Sequence, residues 1–238
     1  MAYRFSRKRT FAFLEALLCI VIAAVSFAAY DMRETEVAVV APVTPTITRV
    51  AAIGDSITYG TSAPENMSYP VQLKALLGKY YTVTNYGVGG RTLLDGDHAY
   101  TKEDFYQKSL QARPGIVIIM LGSNDARSNI WDAAKYERQL AKFVDSYKAL
   151  STPPIIFLMT PPAVFSNEFG IQPDLVENEV APIVRRVARQ TDSRLIDIFS
   201  ITNGRSNIIP DGVHPNSIGY ELIAKTVYEA IKKASTSQ

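Results

Sequence analysis

A hydroxyl becomes a useful nucleophile only beside a base that can take its proton, and the base works only when something fixes its orientation. The residue types for this chemistry stand in separate loops. The first loop reads Ala52-Ile53-Gly54-Asp55-Ser56-Ile57-Thr58-Tyr59-Gly60. A serine just past an apolar run, with glycine before it and a helix after it, can present its hydroxyl and turn its backbone N–H toward a developing anion. Taken alone, Gly-Asp-Ser is also a common turn, and Ser56 could simply cap a helix. Far along the chain comes Ile209-Pro210-Asp211-Gly212-Val213-His214-Pro215-Asn216. An aspartate three residues before a histidine, in a proline-bounded loop, can set its carboxylate on one imidazole nitrogen. The other nitrogen is then free to take a proton from a serine.

Two more loops lie between these. Asn85-Tyr86-Gly87-Val88-Gly89-Gly90-Arg91-Thr92 has three glycines in four positions, which lets another group approach the backbone closely. It lacks the lysine followed by Ser or Thr of a phosphate loop, and its spacing is wrong for a dinucleotide fingerprint, so nucleotide binding is rejected. Met120-Leu121-Gly122-Ser123-Asn124-Asp125 offers a side-chain amide that could donate to an oxyanion, with Asp125 able to organise the loop or cap a helix. His98, between Asp97 and Ala99 and near Asp95, has no such framework and reads as a solvated surface residue.

These loops need a scaffold that brings them to one place. Short apolar runs at Thr48–Ile53, Tyr81–Tyr86, Ile116–Leu121, Ile155–Met159 and Arg194–Ile198 are rich in Ile and Val on consecutive positions, as strands buried on both faces should be. Between them, Leu140, Phe143, Val144 and Tyr147, and then Val180, Ile183, Val184, Val187 and Ala188, recur at helical spacing. A last helix is expected over 217–234, with Ile223, Val227, Ala230 and Ile231 on one stripe. Alternating strands and helices predict a three-layer α/β/α domain on a five-stranded parallel sheet over residues 47–238. In such sheets the working residues sit at the carboxyl ends of the strands, where the loops fall.

The four loops, in this order over residues 48 to 234, resemble those of the SGNH hydrolases, also called GDSL esterases and lipases. The resemblance implies that Ser56 is the nucleophile, His214 the general base and Asp211 the group that orients the histidine. It implies an oxyanion hole made by the backbone N–H groups of Ser56 and Gly90 and the side chain of Asn124. Gly90 is preferred to Gly89 because the family's block runs from the asparagine matched by Asn85 to a glycine two residues before the threonine matched by Thr92. No cofactor and no metal is expected. The stretches Gly90–Tyr100 and Val176–Pro182, and the Leu195-Ile196-Asp197 strand, are similar to a subgroup described as sialate O-acetylesterase-like or carbohydrate acetylesterases. That implies removal of acetyl groups from sugars.

Composition narrows the field around this reading. Of 238 residues, 47% are hydrophobic and 20% charged, which excludes a disordered chain or a coiled coil. The net charge of +2 is local. Arg4, Arg7, Lys8 and Arg9 precede an apolar stretch from Phe11 to Ala29 whose only acid is Glu15. Of the 25 basic residues these four fall in 1–30, leaving 21, and of the 23 acids only Glu15 does, leaving 22. The remainder is nearly neutral, with no basic footprint for nucleic acid. Residues 1–30 have the tripartite look of an export signal. Alternatively, residues 11–30 provide a membrane attachment with the domain outside the cytoplasm. Cys19, the single cysteine, is read as apolar filler, because Leu17 and Leu18 stand where a lipoprotein signal would want small residues. Residues 31–46, interrupted by Pro42 and Pro45, read as an extended tether.

Candidate contacts to the substrate are Arg91, able to meet an acidic sugar bidentately, and the aromatic loops around Trp131 and Phe165. Each has an ordinary alternative in an exposed arginine or in rim packing. Three other readings stay open: a lipid-directed esterase such as a lysophospholipase or thioesterase, acyl transfer to another sugar, and a non-catalytic carbohydrate-binding protein on the same scaffold.

Overall fold

The computed structural model describes Glu15, Leu17–Val25 and residues 46–65 and 67–236. The chain divides into two units between Thr44 and Pro45. In the first, Leu17–Val25 is helical and exposed, and among the described residues no helix is long and apolar enough to cross a membrane. The rest of the expected export segment, and the tether up to residue 45, lie outside the described residues.

The second unit is built on five parallel strands: β1 (Thr48–Gly54), β2 (Tyr81–Gly87), β3 (Ile116–Met120), β4 (Ile155–Met159) and β5 (Arg194–Ile196). Their spatial order is β2-β1-β3-β4-β5. Side chains of a strand alternate between faces, and the two cores divide accordingly. Ala51, Ile53, Val117, Ile119, Ile156 and Leu158 enter one core; Val50, Ala52, Ile118, Met120, Phe157 and Met159 enter the other. Because both faces are covered, every residue of β3 is buried, which is why the strands read as continuous apolar runs rather than alternating ones.

The helices are α1 (Ser56–Tyr59), α2 (Tyr69–Leu77), α3 (Asp104–Gln111), α4 (Ala133–Lys148), α5 (Ala181–Gln190), α6 (Ile198–Thr202) and α7 (Ser217–Thr236). One face of the sheet packs on α4 and α5 through the two stripes read from the sequence, and the other on α2 and α7. A turn of α-helix at Pro173–Leu175 and a π-helical turn at Val176–Val180 lead into α5. The expected fifth strand is shortened by a cap. The Asp197 side chain accepts from Ser200 N and is ion-paired to Arg185 at 2.9 Å, so the chain turns into α6 after Ile196. Ile198 is still buried, as the first residue of that helix.

After β1 the chain adds β2 on one side and then crosses to add β3 on the other. The loops leaving β1 and β3 therefore diverge and open a crevice at their carboxyl ends. Gly87, at the end of β2, lets α1 sit close: a Cβ there would stand 2.2 Å from Tyr59 N. Gly122, just past β3 with φ +135°, faces Tyr136 and Val180 so tightly that a Cβ would lie 2.5 Å from the Tyr136 hydroxyl. Both glycines fix where the crevice-lining loops begin.

Candidate active site

Ser56 is the first residue of α1. Asp55 caps that helix by accepting from Ile57 N at 3.0 Å, so the strand turns sharply and the serine stands at its mouth. A first helical residue has no intrahelical acceptor for its N–H. The Ser56 hydroxyl lies 3.0 Å from His214 Nε2. On the other side of the ring, Nδ1 is 2.8 Å from Asp211 Oδ2. The opposite carboxylate oxygen, Oδ1, accepts from Val213 N at 2.9 Å and His214 N at 2.6 Å. Asp211 thus closes a turn around its own histidine, and with the Nδ1 proton given to Oδ2, Nε2 is the nitrogen that faces the serine. Burial raises the Asp211 pKa, but the two backbone N–H groups and the imidazole outweigh it and hold the carboxyl below the usual range. The carboxylate therefore remains charged.

The other crevice wall is Asn124. Its Oδ1 accepts from Arg127 Nη2 at 2.9 Å, and its Nδ2 donates to the Arg91 carbonyl at 3.1 Å and to Asp55 Oδ2 at 3.3 Å. The guanidinium defines which end of the amide is oxygen, so the NH2 is the end held near Asp55 and Ser56. Ser56, Gly90, Asn124, Arg127, Phe169, Val213 and His214 line one cleft of about 250 Å³. Gly90 has φ +75° and open space where a Cβ would be.

The structure thus gathers Ser56, Gly90, Asn124, Asp211 and His214 but takes three other candidates elsewhere. The Arg91 guanidinium is ion-paired with Glu103, and only its carbonyl reaches the site. Trp131 donates from Nε1 to Glu179 Oε2 at 2.7 Å and packs on Tyr136. Phe165 lines a neighbouring cleft beside Asp211 and donates its N–H to the Gly212 carbonyl at 2.8 Å. Arg127 and Phe169 do line the cleft, together with Thr61 and Ile171, and none of these is singled out by the sequence. An antiparallel bridge between Arg127 and Ile171 and a 2.7 Å bond from Gln172 N to the Ala126 carbonyl tie the two loops together. Phe169 then stands edge-on to the His214 ring, 5.3 Å between centroids. His98 lies 3.4 Å from Arg91 Nη1 and does not line this cleft. Among the described residues no group of three or more His, Cys, Asp or Glu could hold a metal.

Two buried acids underlie the site. Burial pushes Asp55 up to about 6 against the Ile57 N–H, His214 and Ser123. Asp125 accepts from Leu93 N and Leu94 N at 3.0 and 2.7 Å, yet burial pushes it up to about 7. An acid whose pKa is higher folded than unfolded binds more protons when folded, so its contribution to stability falls as pH rises from the ordinary 3.8 to about 7. The thermal midpoint is expected to decline across that window, and Asp125→Asn to flatten the decline. Calorimetry showing the same slope in both proteins would exclude Asp125 as the source.

A family model described as GDSL-like lipase/acylhydrolase matches residues 52–222. The chain belongs to this family. The match takes in the loops of Ser56, Gly90, Asn124, Asp211 and His214. An acetylxylan esterase from Xylanibacter ruminicola is 32% identical over 206 residues, which cover 77% of this chain and 43% of that protein. The chain thus spans less than half the length of that family relative. Two solved structures share the fold. A carbohydrate acetylesterase family member from Sinorhizobium meliloti superposes with TM-score 0.66 at 20% identity, over 79% of this chain and 98% of that one. The acetylxylan esterase Axe2 from Geobacillus stearothermophilus gives 0.63 at 24%, over 78% and 94%.

Proposed function

We propose that the chain is an exported serine esterase that removes O-acetyl groups from carbohydrates. The observation that carries the chemistry is the hydrogen-bonded series Ser56 Oγ, His214 and Asp211, at 3.0 and 2.8 Å, opening into the cleft that Asn124 lines. His214 Nε2 takes the serine proton as Oγ attacks the ester carbonyl, and Asp211 stabilises the imidazolium. The carbonyl oxygen becomes an oxyanion facing Ser56 N, Gly90 N and Asn124 Nδ2. The imidazolium returns its proton to the leaving sugar oxygen, giving an acyl-serine. Water, deprotonated by the same nitrogen, then releases acetate and restores the serine. The reading of acetyl and sugar draws support from the names of the relatives and from the small cleft, which suits a short acyl group.

Asn124→Ala removes one of three oxyanion donors and is expected to lower kcat by about 10²–10³-fold with little change in KM. Steady-state hydrolysis of p-nitrophenyl acetate measures both, and an unchanged kcat would remove Asn124 from the hole. The substrate is tested by acetate release from O-acetylated xylan, sialic acids and peptidoglycan fragments, alongside p-nitrophenyl esters from acetyl to octanoyl. Acetate release and a rate that falls steeply with chain length are expected. No acetate from any carbohydrate, together with cleavage of lysophospholipids, would overturn the sugar reading in favour of a lipid substrate.

A further inference from the structure

A larger hollow of about 420 Å³ lies on the other side of the glycine loop, between Tyr59 of α1 and the segment Lys102–Lys108 at the start of α3. Its floor is Gly87-Val88-Gly89, and the next residue, Gly90, lines the catalytic cleft. Gly89 makes the link direct: a Cβ placed on it would be 3.9 Å from the Ser56 Cβ. The groove and the catalytic cleft are therefore neighbours across the Gly89-Gly90 step, with Gly89 beside the Ser56 side chain.

The walls specify the occupant. Tyr59 is 63% exposed, although its backbone is fixed by Tyr59 N donating to the Asp55 carbonyl at 2.9 Å and by Asn85 Nδ2 donating to the Tyr59 carbonyl at 3.2 Å. Phe105 is 38% exposed and is held edge-on to Tyr86 at 5.9 Å between centroids. Tyr59 offers a flat apolar face beside the active centre, and Phe105 a second ring, with the Lys108 ammonium 5.6 Å over its centroid. Around them stand Lys102 and Lys108, Glu103 and Asp104, two charges of each sign. Glu103 is held by Arg91, while the Lys102–Asp97 and Lys108–Asp104 pairs, each 3.9 Å apart, are largely solvated, and a lipid chain laid there would strip water from them without replacing it. An anionic polymer would gain no net attraction. A neutral, hydroxyl-rich ring gains from both surfaces, because its hydroxyls donate to carboxylates and accept from ammonium groups while its C–H face lies on the aromatics.

We propose that this groove is the subsite for a neighbouring, non-reacting sugar of the acetylated chain, with Tyr59 and Phe105 as its walls. The inference rests on the carbohydrate esterase reading above and adds an oligosaccharide, rather than a single sugar, as the substrate. The subsite contributes binding outside the reacting bond, so its loss raises KM for long substrates and spares small ones.

The test uses the full chain and its Tyr59→Ala, Tyr59→Phe and Phe105→Ala variants, with acetylated xylo-oligosaccharides and p-nitrophenyl acetate as paired substrates. Tyr59→Ala is expected to raise KM for the oligosaccharide about tenfold and to leave p-nitrophenyl acetate within twofold, with Tyr59→Phe close to wild type. Phe105→Ala should act in the same direction. Tyr59 is exposed, so its substitution keeps the test valid even if Phe105→Ala does not fold. Acetate release with an unchanged KM in Tyr59→Ala overturns the subsite and leaves the esterase reading standing. Cleavage of p-nitrophenyl acetate with no acetate from any oligosaccharide overturns the sugar reading, and the subsite with it.

Discussion

Ser56→Ala is expected to lower kcat on p-nitrophenyl acetate by on the order of 10⁵–10⁶-fold, the loss seen when the nucleophile of a serine, histidine and aspartate set is removed. The reason is geometric. Ser56 Oγ is the atom 3.0 Å from His214 Nε2, so without it the imidazole has no hydroxyl to deprotonate and no acyl-enzyme can form. What survives is binding and the oxyanion donors, which act on a water attack at best. The fold should not notice. Ser56 is only part-buried, and its hydroxyl hydrogen bond is made at the open cleft rather than in either core, so the variant is expected within about 1 kcal/mol of wild type. Purified variant with native thermal midpoint and background hydrolysis meets the expectation. Turnover near wild type would remove Ser56 from the chemistry.

The sheet was legible in the sequence because burial on both faces leaves a strong mark. Ile116 to Met120 has no polar residue because both of its faces are covered, and that same apolar run is what marks a strand in the sequence. The third and fourth elements kept their expected limits closely for this reason. The fifth did not. Arg194 to Ile198 looks like a strand by composition, yet Asp197 in its midst is a helix cap bonded to Ser200 and paired with Arg185. An aspartate's preference for capping outweighs the β-propensity of the isoleucines around it.

At the site, the legible residues were those whose chemistry is written in a short stretch of chain. Asp211 reaches His214 within one loop, and spacing alone brings a carboxylate to an imidazole three residues away. Arg127 and Phe169 depend instead on the bridge between Arg127 and Ile171, which pairs segments over 40 residues apart and has no local signature. Arg91 shows the reverse. A cation beside the glycine loop looked available for an acidic sugar, but Glu103, 12 residues on, takes its guanidinium. Which partner a loop arginine chooses is settled by the tertiary path of a segment that periodicity does not describe.

Asp211→Asn separates orientation from mere presence of the histidine, and is expected to lower kcat by about 10⁴-fold while leaving the loop intact. An asparagine can keep its oxygen where Oδ1 accepts from Val213 N and His214 N, so the turn survives. Its NH2 must then occupy the place of Oδ2, 2.8 Å from His214 Nδ1, and a donor there needs an acceptor. The imidazole responds by carrying its proton on Nε2, facing Ser56, and that nitrogen can no longer take the serine proton. In the wild type the carboxyl lies below its ordinary pKa range, so the charge that enforces the productive tautomer is present above the unfolded value of 3.8 and is lost only as pH falls through the lower folded one. Substrate affinity is governed by the cleft rather than by Asp211, and KM should move little. NMR of the imidazole nitrogens reads the tautomer directly: a proton on Nε2 in the variant and on Nδ1 in the wild type is the expected pair. A variant that keeps the Nδ1 tautomer, or keeps its kcat, would show that His214 is oriented by something other than Asp211.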